Sequence, residues 1–271
     1  MIRIFDGNNH VRRRLETDPS GLPIKTLYEE VMHCDGIPVY VFDGAGSLKA
    51  RREIFPGYKV GRKPGGEQIY KSMNMFRELL SLSRAIVIQV PGYEADDIIA
   101  KLAIKYRDEG HSIHIHSNDG DFLQIDNVER DSKDYKGVPP RWIRLYKATV
   151  GDSSDKIPGI PNFGVGAWHK LSDLNLLEKL EKLVVSGNHE DLPVTKGVQT
   201  WLQDELNRRQ LFQYYQIVGF LPVSDELIEE HTVVGNPLPD AFYSIIEEHL
   251  LIPRDPDPTM QTGSPSVDDF L

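Results

Sequence analysis

The sequence contains one cysteine, Cys34, in 271 residues. That excludes an internal disulfide and a thiolate-rich metal site, and a reducing, cytoplasmic location is expected. No apolar run approaches the ~20 residues of a membrane span, so no membrane partner is expected. The first residues, MIRIFDGNN, break at Asp6 after a short apolar stretch. The basic-then-apolar pattern of a secretory signal is missing. No internal repeat is visible, which excludes a repeat architecture. An excess of basic residues is also missing: the formal net charge is -10. Read alone, that counts against a nucleic-acid partner.

What is present is an ordinary globular composition, 39% hydrophobic. The length fits one large domain, or an α/β domain plus a smaller helical one. The charge is unevenly placed. From Pro222 onward there are 11 acidic residues and 1 basic, which account for the whole excess. Within the neutral remainder, residues 44–86 hold 9 basic against 3 acidic side chains, and residues 130–149 hold 6 against 2. These are two local basic segments able to face phosphates.

The first half alternates strand and helix signals. Strands are expected at 1–5, 38–42, 85–90 and 112–117, and helices at 22–34, 64–82 and 94–108. Such alternation indicates a largely parallel sheet covered on both faces. Ligands of such sheets sit beyond the carboxyl ends of the strands. After about residue 136 the pattern turns helical, with segments at 139–150, 167–184, 196–218 and 238–250. A Gly- and Pro-rich loop, GDSSDKIPGIPNFGVG, occupies 151–166. Residues 253–271 read as an acidic, disordered tail.

Carboxylates follow each expected strand: Asp6, then Asp43, then Glu94, Asp96 and Asp97, then Asp119 and Asp121. A single Asp after a strand is an ordinary turn or cap residue. Four strand ends on one sheet edge are not explained that way. Like charges so gathered need cations, and oxygen-only donors select hard ions, Mg²⁺ or Mn²⁺. Asp152 and Asp155 sit in the GDSSD loop ahead of the helical region, where Asp152 or Ser153 alone could be a helix cap. Placed beside the same edge, the pair would complete a site for two ions capable of phosphodiester hydrolysis. His116 reads as a core or rim histidine and His10 as a solvated loop residue. Between the second and third strands, YKVGRK supplies Tyr58, Lys59, Arg62 and Lys63. A cation there stabilises charge on a phosphoryl group, and Tyr58 can stack on a base. The glycines of the 157–166 loop, with amides near a helix start, suit a duplex backbone. These residues alone leave open a metal-dependent phosphatase or a non-catalytic binder of branched DNA.

With FDG at 42–44, YKVGRK, GYEADD at 92–97, SNDGDFLQI at 117–125 and the GDSSD loop in this order, the chain resembles the structure-specific 5′-nucleases. These include flap endonucleases, bacteriophage 5′-3′ exonucleases and the 5′-nuclease domain of bacterial DNA polymerase I. The likeness spans roughly residues 1–220 and looks most like a phage or bacterial stand-alone enzyme, in host cytoplasm if phage-encoded. It implies an α/β fold: a PIN-like, mostly parallel sheet with a helical arch, plus a helix–three-turn–helix domain. The corresponding limits are 1–135 for the nuclease domain, with the arch at about 58–84. The helical DNA-binding domain is then 136–252, with its helix–three-turn–helix at about 139–185.

By motif, the resemblance assigns Asp6, Asp43, Glu94, Asp96, Asp97 and Asp119 to the surroundings of one metal ion, Asp96 acting through water. Asp119, Asp121, Asp152 and Asp155 go to a second. Lys59 and Arg62, with Tyr58, correspond to residues engaging the scissile phosphate. Lys63, Gly159, Gly164, Gly166 and Lys170 are the corresponding DNA contacts, and a K⁺ ion is implied at the helix–three-turn–helix. The implied reaction is 5′-3′ exonuclease or flap cleavage of DNA, with RNA primers as further substrates, by a monomer working in replication or repair. The tail ending SVDDFL suits a basic groove on a replication protein; a solvated end is the plainer reading. Three positions depart from the family pattern. Gly120 replaces a basic residue between the paired aspartates, Lys156 replaces Asn, and Gly166-Ala167-Trp168 replaces a Lys-Thr-Ala stretch.

Overall fold

The computed structural model describes residues 1–17, 22–62, 66–188 and 190–250. In chain order these form β1 (Ile2–Asp6), α1 (Gly7–Thr17), α2 (Pro23–Met32), β2 (Ile37–Val41), α3 (Lys49–Ile54) and α4 (Glu67–Leu80). Next come β3 (Ile86–Ile88), α5 (Ala95–Asp108), β4 (Ile113–His116), a 3-10 turn (Gly120–Gln124) and β5 (Glu129–Arg130). The remainder is α6 (Ile143–Val150), α7 (Val165–Asp173), α8 (Leu177–Ser186), α9 (Lys196–Gln203), α10 (Glu205–Ile217), α11 (Asp225–Glu230), β6 (Thr232–Val234) and α12 (Pro239–Leu250).

The strands make one sheet in the order β5-β4-β1-β2-β3-β6. Every pairing is parallel except β3 with β6. Alternation along the strands divides the buried residues between two faces. Ile2, Ile4, Val39, Val41, Ile86 and Ile88 pack with α5 residues such as Ile98, Ile99 and Leu102. Phe5, Tyr40 and Val87 pack on the other side with α2, α4 and α12. A third core, built mainly from α6 to α10, also takes in Tyr58 and Leu123, so the segment after α3 is rooted in the helical part.

The expected sheet and helix order holds, with boundary shifts and additions. The 167–184 stretch is two helices, because Asn175 takes a left-handed φ of 55° and Leu176 N–H donates to Leu171 O. The 196–218 stretch divides at Asp204, whose carboxylate caps α10 by accepting from Leu206 and Asn207 N–H. The helices α1, α3 and α11 and the strands β5 and β6 were not expected. β6 corrects the picture of a purely helical second half: it returns to the sheet and pairs antiparallel with β3. A three-residue edge strand, TVV, is too short to announce itself by alternation. The side chains of Phe242 and Tyr243 follow it into the α2 face of the sheet. Lys63 and the tail from residue 253 lie outside the described residues.

Candidate functional site

The chain leaves β1 toward β2 on one side and later returns to β4 on the other, so strand order reverses between β1 and β4. Parallel sheets open a crevice at such a point, beyond the strand ends. Asp6 ends β1 and Ser117 follows β4; the Ser117 hydroxyl donates to Asp6 Oδ2 at 3.1 Å. Asp119 N–H donates back to Ser117 Oγ at 3.2 Å. Asp43 follows β2 and accepts from Ala95 N–H at the start of α5, at 2.9 Å, and from Asn8 Nδ2 at 2.7 Å. The next residue must be glycine, since a Cβ at Gly44 would lie 1.8 Å from Val90 O.

Two adjoining cavities result. One, of about 660 Å³, is lined by Asp6, Asp43, Glu94, Asp96 and Asp119. The other, of about 410 Å³, is lined by Asp96, Asp119, Asp121, Asp152 and Asp155. Lys59, Arg62, Asp96 and Asp119 belong to both. The GDSSD loop reaches the second cavity because it folds back on α6. Asp152 and Ile157 exchange backbone hydrogen bonds at 2.9 and 2.8 Å, and Ile160 N–H donates to Thr149 O.

The electrostatics are those of crowded anions. Burial, reinforced by Asp43 and Asp119, pushes the Asp6 carboxyl up to about 7. Burial and the charges of Asp6 and Asp119 hold Asp96 well above the usual carboxylate range. Burial likewise raises Asp121 to about 6, against the pull of Lys147. Two lysines relieve part of this. Lys59 Nζ lies 2.7 Å from Glu94 and 3.5 Å from Asp155. Lys147 Nζ lies 2.5 Å from Asp121 and 2.9 Å from Asp152. Burial works against ionisation of Asp152, but Lys147 and the Ser154 hydroxyl overcome it and hold the carboxyl at about 2. An all-oxygen donor set that strains against its own charge fits a hard divalent cation.

The tertiary structure redirects several expected site residues. Asp97 does not line either cavity; it is buried against Arg51. On the α5 helix its side chain departs from the face that carries Asp96. Tyr58 is 2% exposed and donates its hydroxyl to Glu94 Oε2 at 2.7 Å, so it is not placed to stack on a base. Gly159 is a packing glycine: its φ is 72° and a Cβ would meet Gly151 N and Thr149 O at 2.6 Å. Gly164 and Gly166, in contrast, have open space around the Cβ position at the start of α7. Lys170 donates to Pro193 O at 2.7 Å. His10 is not solvated: it packs edge-on to Phe5 and sits 3.3 Å from Glu30. Burial pushes its pKa down to about 4.

Four residues beyond the expected ones also shape the site: Lys147, Arg51, Asn8 and Ser117. None carries a local signal; Lys147 is one lysine in an ordinary amphipathic helix. The structure also accounts for Gly120. A side chain there would meet Tyr135 Cδ2 at 2.7 Å, while Lys147 supplies a cation beside Asp121 from α6.

A family model described as the 5′-3′ exonuclease, N-terminal resolvase-like domain matches residues 24–137. The chain is 36% identical over 191 residues to a 5′-3′ exonuclease of Aquifex aeolicus, covering 60% of this chain and 65% of that protein. It is 32% identical over 231 residues to DNA polymerase I of Bacillus subtilis, covering 69% of this chain and 26% of that protein. It thus spans about a quarter of that polymerase. Among solved structures, phage T5 5′-exonuclease with bound zinc superposes with a TM-score of 0.63 at 19% identity, covering 91% of this chain and 98% of that one. The catalytic core of Rad2 in complex with DNA substrate gives 0.56 at 16% identity, covering 93% and 88%. Among the described residues no helix is long and apolar enough to cross a membrane.

Proposed function

We propose, for a chain whose sequence and structure match the 5′-3′ exonuclease and flap endonuclease family, that it is a structure-specific 5′-nuclease hydrolysing DNA phosphodiester bonds with two divalent ions. The observation that carries this is the pair of adjoining carboxylate cavities that share Lys59, Arg62, Asp96 and Asp119. A scissile phosphate seated at that junction faces both carboxylate groups and two basic residues at once.

Asp6, Asp43, Glu94, Asp96 and Asp119 would hold one Mg²⁺ or Mn²⁺, and Asp119, Asp121, Asp152 and Asp155 the other. When bound, the ions supply water activation and offset charge on the scissile group. The chain's own part is charge balance and placement. Lys59 and Lys147 neutralise the carboxylates before ions enter. Lys59 and Arg62, which line both cavities, would stabilise charge developing on the scissile phosphate. Tyr58 and Arg51 fix Glu94 from behind. Asp97 then serves as a positioning residue for α5.

The finer architecture belongs to the same reading. The sheet with its flanking helices is the PIN-like domain, and residues 58–62 the base of the arch. Helices α6 and α7 with the intervening loop make the helix–three-turn–helix. The open Gly164–Gly166 backbone at the start of α7 suits a duplex phosphate and would hold a K⁺ ion beside it. The substrate is DNA with a 5′ end or flap, and the role is primer removal or repair.

The test uses end-labelled flap, nicked and blocked-5′-end DNA, with Mg²⁺ and with EDTA. Cleavage that needs Mg²⁺ and falls at least a thousandfold in Asp119→Asn and Asp152→Asn is expected. Wild-type rates from both variants would overturn the reading. Salt-sensitive binding to forked DNA without turnover would favour a non-catalytic binder.

A further inference from the structure

Beyond the carboxylate cavities, β4 and β5 carry a cluster that phosphodiester hydrolysis does not use. His114 and His116 alternate with the buried Ile113 and Ile115, so both imidazoles stand on one face of β4. Their rings stack with centroids 4.0 Å apart at 12°. Asp131 follows β5, and its N–H donates to Ile115 O at 3.2 Å, which holds it beside both histidines. Asp131 Oδ1 lies 3.0 Å from His114 Nε2 and 3.7 Å from His116 Nδ1. One donor atom from each residue lies within 4.8 Å of the other two.

We propose that His114, His116 and Asp131 form a three-ligand site for a borderline transition-metal cation, of which Zn²⁺ is the probe. Ligand atoms set tetrahedrally about 2.0–2.1 Å from such an ion stand about 3.3 Å apart. Asp131 Oδ1 stands 3.0 and 3.7 Å from the two imidazoles, and the stacked rings, 12° from parallel, must turn about their Cβ–Cγ bonds to aim both lone pairs at one ion. Two imidazoles with one carboxylate select zinc-like ions over Mg²⁺, which the all-oxygen cavities suit. Glu129 Oε2, 3.7 Å from His114 Nδ1, adds a negative charge beside that ring without a hydrogen bond to it. Arg3 opposes binding. Its Nη1 lies 3.3 Å from His116 Nε2 and its Nε is held by Asp35 O, so a guanidinium charge stands beside the site.

The site has a structural consequence. An ion there clips the two-residue strand β5 to β4. It also fixes His116, which stacks 4.4 Å from Phe5, the residue before Asp6. β4 in turn leads to Ser117, the hydroxyl partner of Asp6.

Equilibrium dialysis of Zn²⁺ against the full chain, stripped of metal and then held in excess Mg²⁺, tests the site. Thermal unfolding is followed in parallel. The wild type is expected to retain one tightly bound Zn²⁺ and to unfold at higher temperature with it. The Asp119→Asn/Asp152→Asn variant should retain that ion. His114→Ala/His116→Ala and, separately, Asp131→Ala should lose at least tenfold in Zn²⁺ affinity, and Arg3→Ala should gain. Asp131 is exposed, so its variant decides the matter if the histidine variant does not fold. No Zn²⁺ retained by the wild type, or equal retention by Asp131→Ala, overturns the proposal.

Discussion

Arg51 grips Asp97 through both terminal nitrogens, at 2.5 and 2.8 Å, with both side chains buried. The pair reaches further than itself. Arg51 also donates to Ile217 O and Gly219 O, and Asp97 Oδ1 accepts from Leu221 N–H at 2.7 Å. The start of α5, which carries Glu94 at its cap and Asp96 in its first turn, is thereby locked to the end of α10. A residue that looks like one more metal ligand in GYEADD is, in the folded chain, a tie between sheet and helical part.

Removing one partner of a buried ion pair leaves the other uncompensated, at a cost of about 3–5 kcal/mol. Asp97→Ala and Arg51→Ala are each expected to lose that much in urea unfolding. Asp97→Asn should leave the Mg²⁺ affinity of the folded protein within a fewfold of wild type, unlike Asp96→Asn. Calorimetric titration giving the two Asn variants the same loss would return Asp97 to the ligand set.

Lys147 stands between Asp121 and Asp152. In Lys147→Ala the two anions face each other with that cation gone, so the Asp121 carboxyl rises further above about 6. Ion-free stability should fall and recover at saturating Mg²⁺. Turnover of a flap substrate should fall roughly 10- to 100-fold, in the range of a lost electrostatic group. Unchanged turnover would make Lys147 a folding residue only.

The pH dependence follows from Asp6, whose folded carboxyl titrates at about 7 against an ordinary 3.8. A raised folded-state value means the native protein holds the proton more tightly than the unfolded chain. Stability from this group is therefore complete below about pH 4 and is lost as pH climbs to 7. Asp6→Asn removes the loss. In EDTA the variant should gain on wild type steadily across that window, reaching on the order of 4 kcal/mol above it. Denaturant titrations at several pH values measure it; a flat difference would place the Asp6 charge elsewhere in the balance. Saturating Mg²⁺ should erase or reverse the gain.

Two glycines should tolerate no side chain. Gly44→Ala places a methyl on Val90 O, and Gly159→Ala combines a φ of 72° with contact to Gly151 and Thr149. Each should cost about 1–3 kcal/mol or more and displace Asp43 or the GDSSD loop. Gly164→Ala and Gly166→Ala, with open space, should leave stability within about 0.5 kcal/mol and change only DNA affinity. Unfolding curves and a binding titration separate the two kinds of glycine.

The sequence by itself determined the parallel sheet and the placing of carboxylates at its strand ends, because period-2 apolar strands and their flanking turns are local. It determined equally that Asp152 and Asp155 open a loop ahead of a helix. The family likeness lay in those same short motifs. Only the tertiary structure decided which carboxylates face the cavities. Asp96 and Asp97 are neighbours in sequence, yet one turns to the crevice and the other to Arg51, since successive side chains on a helix point to different sides. Lys147 and Arg51 are likewise decided by tertiary structure. Each finds its partner across elements distant in sequence, where buried charge must be balanced and no local pattern records the need. Tyr58 shows the limit most plainly: its position in YKVGRK suggests contact with DNA, and packing against the helical core turns it inward to Glu94.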